Sequence, residues 1–313
     1  MLKRDAWLDG IKFLLIVLVV FGHSKQFTCY DKSLFSVKLV SYTIHSIYLF
    51  HMPLFILISG YVSKKVEIRK FVHSTIRLFK IFLLFHFLWI GIDLFRGEPF
   101  SFQRLIDPSF TFWYLLSLIY WRVLLQFLPE KYDRSYVILP VTLIISLLGG
   151  LIPLVNEFSI PRTLTFMPIF FLGYYAKQNN WLGVIRKVNL FWFVIPAFFL
   201  ILLENKLPLD IHGRKPYVES VDALKRILFL SSSIIISIAF IRLLPQKVSV
   251  FSEEGRDVLF YYVYHSFVLF LIATFLSMLN VIVGGVGLVI VSICTLGLLF
   301  LCRKISFMHQ LIS

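Results

Sequence analysis

Apolar runs close to twenty residues long recur from one end of the chain to the other, and no other feature constrains its fold as much. A helix needs about twenty apolar residues to cross the roughly 30 Å hydrocarbon core of a bilayer. Helices suit that solvent because they satisfy every backbone N–H and C=O internally, where no water can. Set against their breakers, the runs predict ten spans, at roughly 11–27, 42–62, 75–95, 111–128, 136–155, 163–177, 187–203, 224–243, 258–279 and 283–302. The sixth and seventh are short, and Pro168 in the sixth permits a kinked or partial crossing. Composition agrees: 58% of residues are hydrophobic and only 15% charged, against about 25% charged in soluble domains. The expected fold class is all-α, a polytopic integral membrane protein with about ten transmembrane helices in one bundle. A single membrane domain over 1–313 is expected, with no separate soluble domain; the loop at about 204–223 is the one with room for extramembrane structure.

A formal net charge of +14 would suit nucleic acid, but the 31 Lys and Arg residues are spread through short loops between spans. In a membrane protein they mark the cytoplasmic side, so no nucleic-acid partner is expected. The segments on the N-terminal side of the membrane, from Lys3 and Arg4 through Lys64, Lys65, Arg69 and Lys70 to Arg303 and Lys304, hold the larger share. That bias places both termini in the cytoplasm. The first span lacks a small-residue cleavage site and continues into "FGHSKQF", so it reads as a retained helix. Cys29, Cys294 and Cys302 are too scattered for a disulfide framework or a metal motif.

Polar groups at membrane depth are costly unless satisfied, which makes them functional candidates. Carboxylates are nearly absent from the spans, with Asp93 near an edge, but His23, His45, His51, His86 and His265 all fall within them. In "KFLLIVLVVFGHS", Lys12 and His23 are eleven residues apart, so they share a helix face and stand roughly 16 Å apart along its axis. One face thus offers a cation at one end and a titratable base at the other. Lys12 can equally snorkel to lipid headgroups or pair with Asp9, one turn earlier. His51 precedes Met52-Pro53, where proline frees a carbonyl and bends the span; the imidazole can act in chemistry or bond that carbonyl. Ser59-Gly60 then permits close helix packing. Arg77 and Lys80 share a side at i, i+3, and with Arg122, about two turns into its span, they form a candidate anion cradle.

The blocks "WLDGIKFLLIVLVVFGHS", "FHMPLFILISGY", "FWYLLSLIYWRVLL", "PRTLTFMPIFFLGYYAK" and "LFYYVYHSF" occur in the order and spacing of the acyltransferase type 3 family. The chain resembles that family from about residue 4 to 302, and most of all its branch of fucose 4-O-acetylase-like sugar acetyltransferases. The resemblance implies ten helices in a bacterial-type cytoplasmic (inner) membrane. It also implies transfer of an acyl group, usually acetyl from acetyl-CoA, to a hydroxyl of a surface glycan or lipid-linked sugar, without a metal. His23 matches the family's first-helix histidine, taken as the catalytic base. Lys12 falls where many members carry arginine in an arginine–ten residues–histidine pattern, and Arg77 and Lys80 match an arginine pair. Both lysines keep the charge and lose the bidentate fork. On this reading the phosphates of CoA lie near Arg77, Lys80 and Lys12 or Arg122, and the thioester reaches toward His23. The acceptor enters from outside near Trp113, Tyr114 and Arg162, and His51 or His265 orients His23 or stabilises the oxyanion.

The alternative is a flippase or exporter of lipid-linked sugars. Ion-coupled transport commonly uses intramembrane carboxylates, which are nearly missing here, and no G-x-x-x-x-G-K-[ST] phosphate loop is present for an ATP-driven version.

Overall fold

The computed structural model describes residues 5–29, 35–204 and 209–312. Lys3 and Arg4, counted toward the orientation, lie outside the described residues. Every regular element described is helical. The principal helices are α1 (Ala6–Phe27), α2 (Phe35–Tyr48), α3 (His51–Val62), α4 (Ile68–Phe95), α5 (Trp113–Phe127) and α6 (Ser135–Leu148). They continue with α7 (Ile160–Gln178), α8 (Trp181–Lys187), α9 (Phe191–Glu204), α10 (Asp222–Leu243), α11 (Val258–Met278) and α12 (Gly285–Cys302).

Among the described residues, six helices are long and apolar enough to cross a membrane: α1, α2 with α3 as Ser36–Val62, α4, α10, α11 and α12. A seventh arises if α8 and α9, bent by 95° at their junction, form one broken span. The ten expected spans are therefore met in part. The reasons are physical: α5 has 15 residues, about 22 Å of helix, and carries Arg122. Helix α6 has 14 residues, and α7, though 19 residues long, begins with Arg162, Thr163 and Thr165. Helices α4, α9, α11 and α12 carry exposed apolar side chains, as lipid requires: Phe95, Trp192, Phe198, Leu271 and Ile293 are all exposed.

The chain divides into two compact units, one of Met1–Phe55, Phe193–Leu207 and Ile236–Ser313, the other of Ile56–Trp192 and Pro208–Ile235. In the first, α1 is central. Asp5 caps it, its carboxylate accepting from the Trp7 and Leu8 amides at 3.0 and 3.3 Å. Its fully buried Leu15, Ile16 and Val20 face the core, and Phe13 meets the edge of Tyr261 on α11 at 5.3 Å. Two buried hydroxyls of α12 are satisfied within their own helix: Ser292 bonds the Leu288 carbonyl and Thr295 that of Val291, both at 2.8 Å.

In the second unit, α3 crosses α7 at two glycines. A Cβ added at Gly60 would collide with the Phe170 carbonyl, and one at Gly173 with that of Leu57. The two backbones therefore touch, which only small residues allow between membrane helices. The Ser59 hydroxyl shares a hydrogen bond with Tyr114 on α5. At the other end of α5, the Gln126 amide pairs with both the N–H and the C=O of Val66.

The loop after α5 is anchored by Asp133, whose carboxylate takes Lys65 at 2.7 Å and the Tyr175 and Tyr174 hydroxyls at 2.7 and 3.2 Å. Burial pushes this carboxyl's pKa up, but those bonds outweigh burial and hold it below the ordinary aspartate value. A lowered native pKa means that the Asp133 contribution is complete above the unfolded value of about 3.9 and is lost as pH falls through the native one. Thermal midpoints in detergent from pH 7 to pH 3 should show Asp133→Asn less stable than the parent at neutral pH, with the gap closing toward pH 3. A gap constant across the range would show that the anchor does not depend on ionisation.

Candidate active site

Helices α1, α2, α3 and α11 bring three imidazoles and a phenol together in the first unit. His23, near the end of α1, stacks on His265 of α11 with ring centroids 5.5 Å apart. Tyr48, at the end of α2, meets His23 and His51 edge-on, at 6.0 and 5.0 Å. His23 Nδ1 lies 3.2 Å from both Gln26 Oε1 and the Tyr48 hydroxyl, and Gln26 Nε2 donates to that hydroxyl at 3.0 Å. With the proton on Nδ1, the N–H points at two oxygens and the ring's lone pair lies on Nε2, the tautomer a general base needs.

The other two imidazoles have their tautomers set by carbonyls, which can only accept. His51 Nδ1 donates to Ile47 O at 2.8 Å, so the ring bonds a backbone carbonyl in the turn before Pro53. His265 Nδ1 donates to Tyr262 O at 2.7 Å. That leaves His265 Nε2 a fully buried nitrogen without a hydrogen-bond partner, on a ring stacked against His23. Buried nitrogens of this kind are rare and ask for an explanation.

Lys12 stands on α1 well away from this cluster and forms an ion pair with Asp9, one turn earlier, both side chains largely buried. Local pairing, one of the alternatives open from the sequence, is thus present. The cations of the second unit are placed differently. Arg77 and Lys80 are exposed on α4, and Arg122 of α5 donates to the Ser74 hydroxyl at 2.9 Å, one turn before Arg77. Arg122 therefore reaches the stretch of α4 that carries the other two.

Arg162, at the start of α7, is buried with its guanidinium 4.9 Å over the Trp113 ring, which stacks on Phe166 at 5.8 Å. Trp113 and Arg162 thus form one patch. The Tyr114 ring meets Trp113 edge-on at 6.2 Å, and its hydroxyl bonds that of Ser59.

His86 shows what a structural histidine looks like here. The Ser109 amide donates to its Nδ1 at 3.1 Å, so its proton sits on Nε2, facing Leu105 O at 3.4 Å. Both nitrogens are used to hold the 103–109 loop. Among the described residues, no group of three or more His, Cys, Asp or Glu side chains is placed to hold a metal ion.

Sequence reasoning did not single out Gln26 or Tyr48. Each stands three residues from a histidine that was noticed, His23 and His51, and that one-turn spacing is the signal available for finding them.

Two curated proteins are similar to parts of the chain. Nodulation protein NolL of Sinorhizobium fredii (strain NBRC 101917 / NGR234) is 28% identical over 197 residues, covering 56% of this chain and 50% of its own length. Nodulation protein NolL of Mesorhizobium japonicum (strain LMG 29417 / CECT 9101 / MAFF 303099) is 43% identical over 68 residues, covering 22% of this chain and 18% of its own. The chain thus spans half or less of the length of these relatives. No solved structure matches it. Residues 5–302 match the acyltransferase domain, a range that contains every block from "WLDGIKFLLIVLVVFGHS" to "LFYYVYHSF". This multi-pass helical membrane protein belongs to the acyltransferase type 3 family.

Proposed function

We propose that the protein is a membrane O-acetyltransferase that moves an acetyl group from cytoplasmic acetyl-CoA to a sugar hydroxyl of a cell-surface glycan. The observation that carries this reading is the His23 cluster: an imidazole held by Gln26 and Tyr48 and stacked on buried His265, within a chain of this family. His23 Nε2 takes the proton of the acceptor hydroxyl as its oxygen attacks the thioester carbonyl. The carbon–sulfur bond breaks, and the CoA sulfur receives the proton that His23 took, so CoA leaves as the thiol and the imidazole returns to its neutral form. His265 and His51, each with a lone pair on Nε2, orient His23 or serve the passing proton. Arg122, Arg77 and Lys80 are assigned to the donor's phosphates, with Lys12 as a further positive group, and Trp113, Tyr114 and Arg162 to the acceptor. Ten crossings of an inner membrane, with both termini cytoplasmic, complete the reading; the bias of Lys and Arg supports that orientation.

Purified protein in nanodiscs, given radiolabelled acetyl-CoA and a glycan extract, tests it. Label moving to glycan, or free CoA released only by the parent and not by His23→Ala, supports the transferase. Folded protein that neither binds nor turns over acetyl-CoA overturns it in favour of a flippase or exporter.

The phosphate assignment makes its own prediction. Arg122→Ala should raise KM for acetyl-CoA by about tenfold or more, the scale of one hydrogen bond from a charged group, with KM for the acceptor unchanged. An unchanged KM for acetyl-CoA removes Arg122 from the donor site.

A further inference from the structure

One end of the second unit carries a cavity that the reading above does not use. It has a volume of about 120 Å³ and lies under the 209–221 loop, against α7 and α10. That is several times the roughly 30 Å³ share of one water in the liquid. Three buried side-chain atoms without a hydrogen-bond partner belong to residues of its lining: Thr165 Oγ1, Asp210 Oδ1 and Tyr217 Oη. Thr165 is fully buried. Burial pushes the Tyr217 phenol above its ordinary pKa, so at neutral pH it keeps its proton and can donate. Leaving a buried polar atom unmatched is costly, and native structures hold few of them.

The walls around them are already fixed. Asp210 Oδ2 takes the Arg214 and Lys215 amides, both at 2.7 Å, which shapes the loop. Buried Arg226 donates to Ser146 O at 2.9 Å and Lys215 O at 3.1 Å, and its guanidinium lies 4.7 Å over the Tyr217 ring. Lys225 is held by Asp222 at 2.8 Å and Glu219 at 3.5 Å. The Lys215 side chain is exposed.

These commitments decide the chemistry. Arg226 already donates to two carbonyls and Lys225 to two carboxylates, and an anion would also meet Asp210 and Asp222 in the same wall. What is left over is one carboxylate oxygen, which accepts, and two hydroxyls, which both donate and accept. That set suits adjacent hydroxyl groups on a neutral ring, and Phe229 and Pro216 offer apolar wall for its C–H face. Thr165 also stands one turn beyond Arg162 on α7. We infer that this cavity binds a neutral sugar ring of the acceptor glycan through Thr165, Asp210 and Tyr217. The assignment to the acceptor rests on the transferase reading; the site's preference for a sugar does not.

The test reads binding without turnover. Saturation-transfer NMR on the protein in nanodiscs would use methyl glycosides of fucose, galactose and N-acetylglucosamine as probes, with inorganic phosphate as competitor. Thr165→Val and Tyr217→Phe each remove a hydroxyl that has no partner inside the protein, so both variants should keep the parent's thermal midpoint. At least one glycoside should bind the parent, and each variant should weaken it about fivefold, the scale of one hydrogen bond. Absence of transfer from every glycoside would make this a hydrated void and overturn the inference. So would equal binding by both variants, or displacement of the glycoside by phosphate. Binding that follows the variants in a protein that never transfers acetyl would overturn the transferase and leave the sugar site standing.

Discussion

Replacing His23 with alanine is expected to lower acetyl transfer by about 10²- to 10⁴-fold, the range for removing a positioned general base, with little change in KM for either substrate. The small change in KM follows because a proton acceptor acts as the hydroxyl attacks, and ground-state binding does not need it. The protein should stay folded: His23 is only half-buried, and its bonds go to Gln26 and Tyr48, which keep one another at 3.0 Å. Tyr48→Phe gives the graded comparison. It removes one of two oxygens facing Nδ1 and leaves Gln26 in place, so the loss should be nearer tenfold, one hydrogen bond's worth. Equal losses in the two variants would place the chemistry on Tyr48 as much as on His23. Near-parent activity in folded His23→Ala would take the base away from α1 altogether.

The largest effect on stability should come from Gly60→Ala, by about 3 kcal/mol or more, read as a drop in thermal midpoint and in yield of monodisperse protein. One methyl group has this effect because it would have to occupy the space of the Phe170 carbonyl, which belongs to the α7 backbone and cannot rotate aside. Gly173→Ala meets the Leu57 carbonyl in the same way, so the two substitutions should resemble each other. Gly91→Ala is the control. Nothing lies within 4 Å of a Cβ at Gly91, so only helix propensity changes, by up to about 1 kcal/mol in the stabilising direction. If Gly60→Ala and Gly91→Ala have the same midpoint, α3 and α7 do not touch at these glycines.

Much of the helical order was legible in the sequence because the bilayer turns hydropathy into length. It was less legible where polar cargo breaks a run. Arg122 shortens what hydropathy can support in α5, and Arg162, Thr163 and Thr165 do the same at the start of α7, so those spans read longer as averages than they stand as helices. The imidazoles were easy to notice because histidine is out of place in an apolar run. Their company was not. Tyrosine is ordinary near membrane interfaces, so Tyr48 carried no flag, and only the approach of α2 to α1 gives it a role. The cavity under the 209–221 loop is harder still, since Thr165, Asp210, Tyr217 and Arg226 meet from three separate stretches of chain. For Lys12 the spacing to His23 was legible, and so was the nearness of Asp9; coordinates were needed to show that the local pair forms.

That ion pair has a consequence for how the chain enters the membrane. An isolated lysine within an inserting segment raises the cost of partitioning into lipid. Asp9 and Lys12 belong to the same turn, so they meet as soon as that turn is helical and need no later segment of the chain. The first segment therefore brings its own counter-ion to the insertion machinery, and Lys12 enters the bilayer as half of a pair, not as a lone charge.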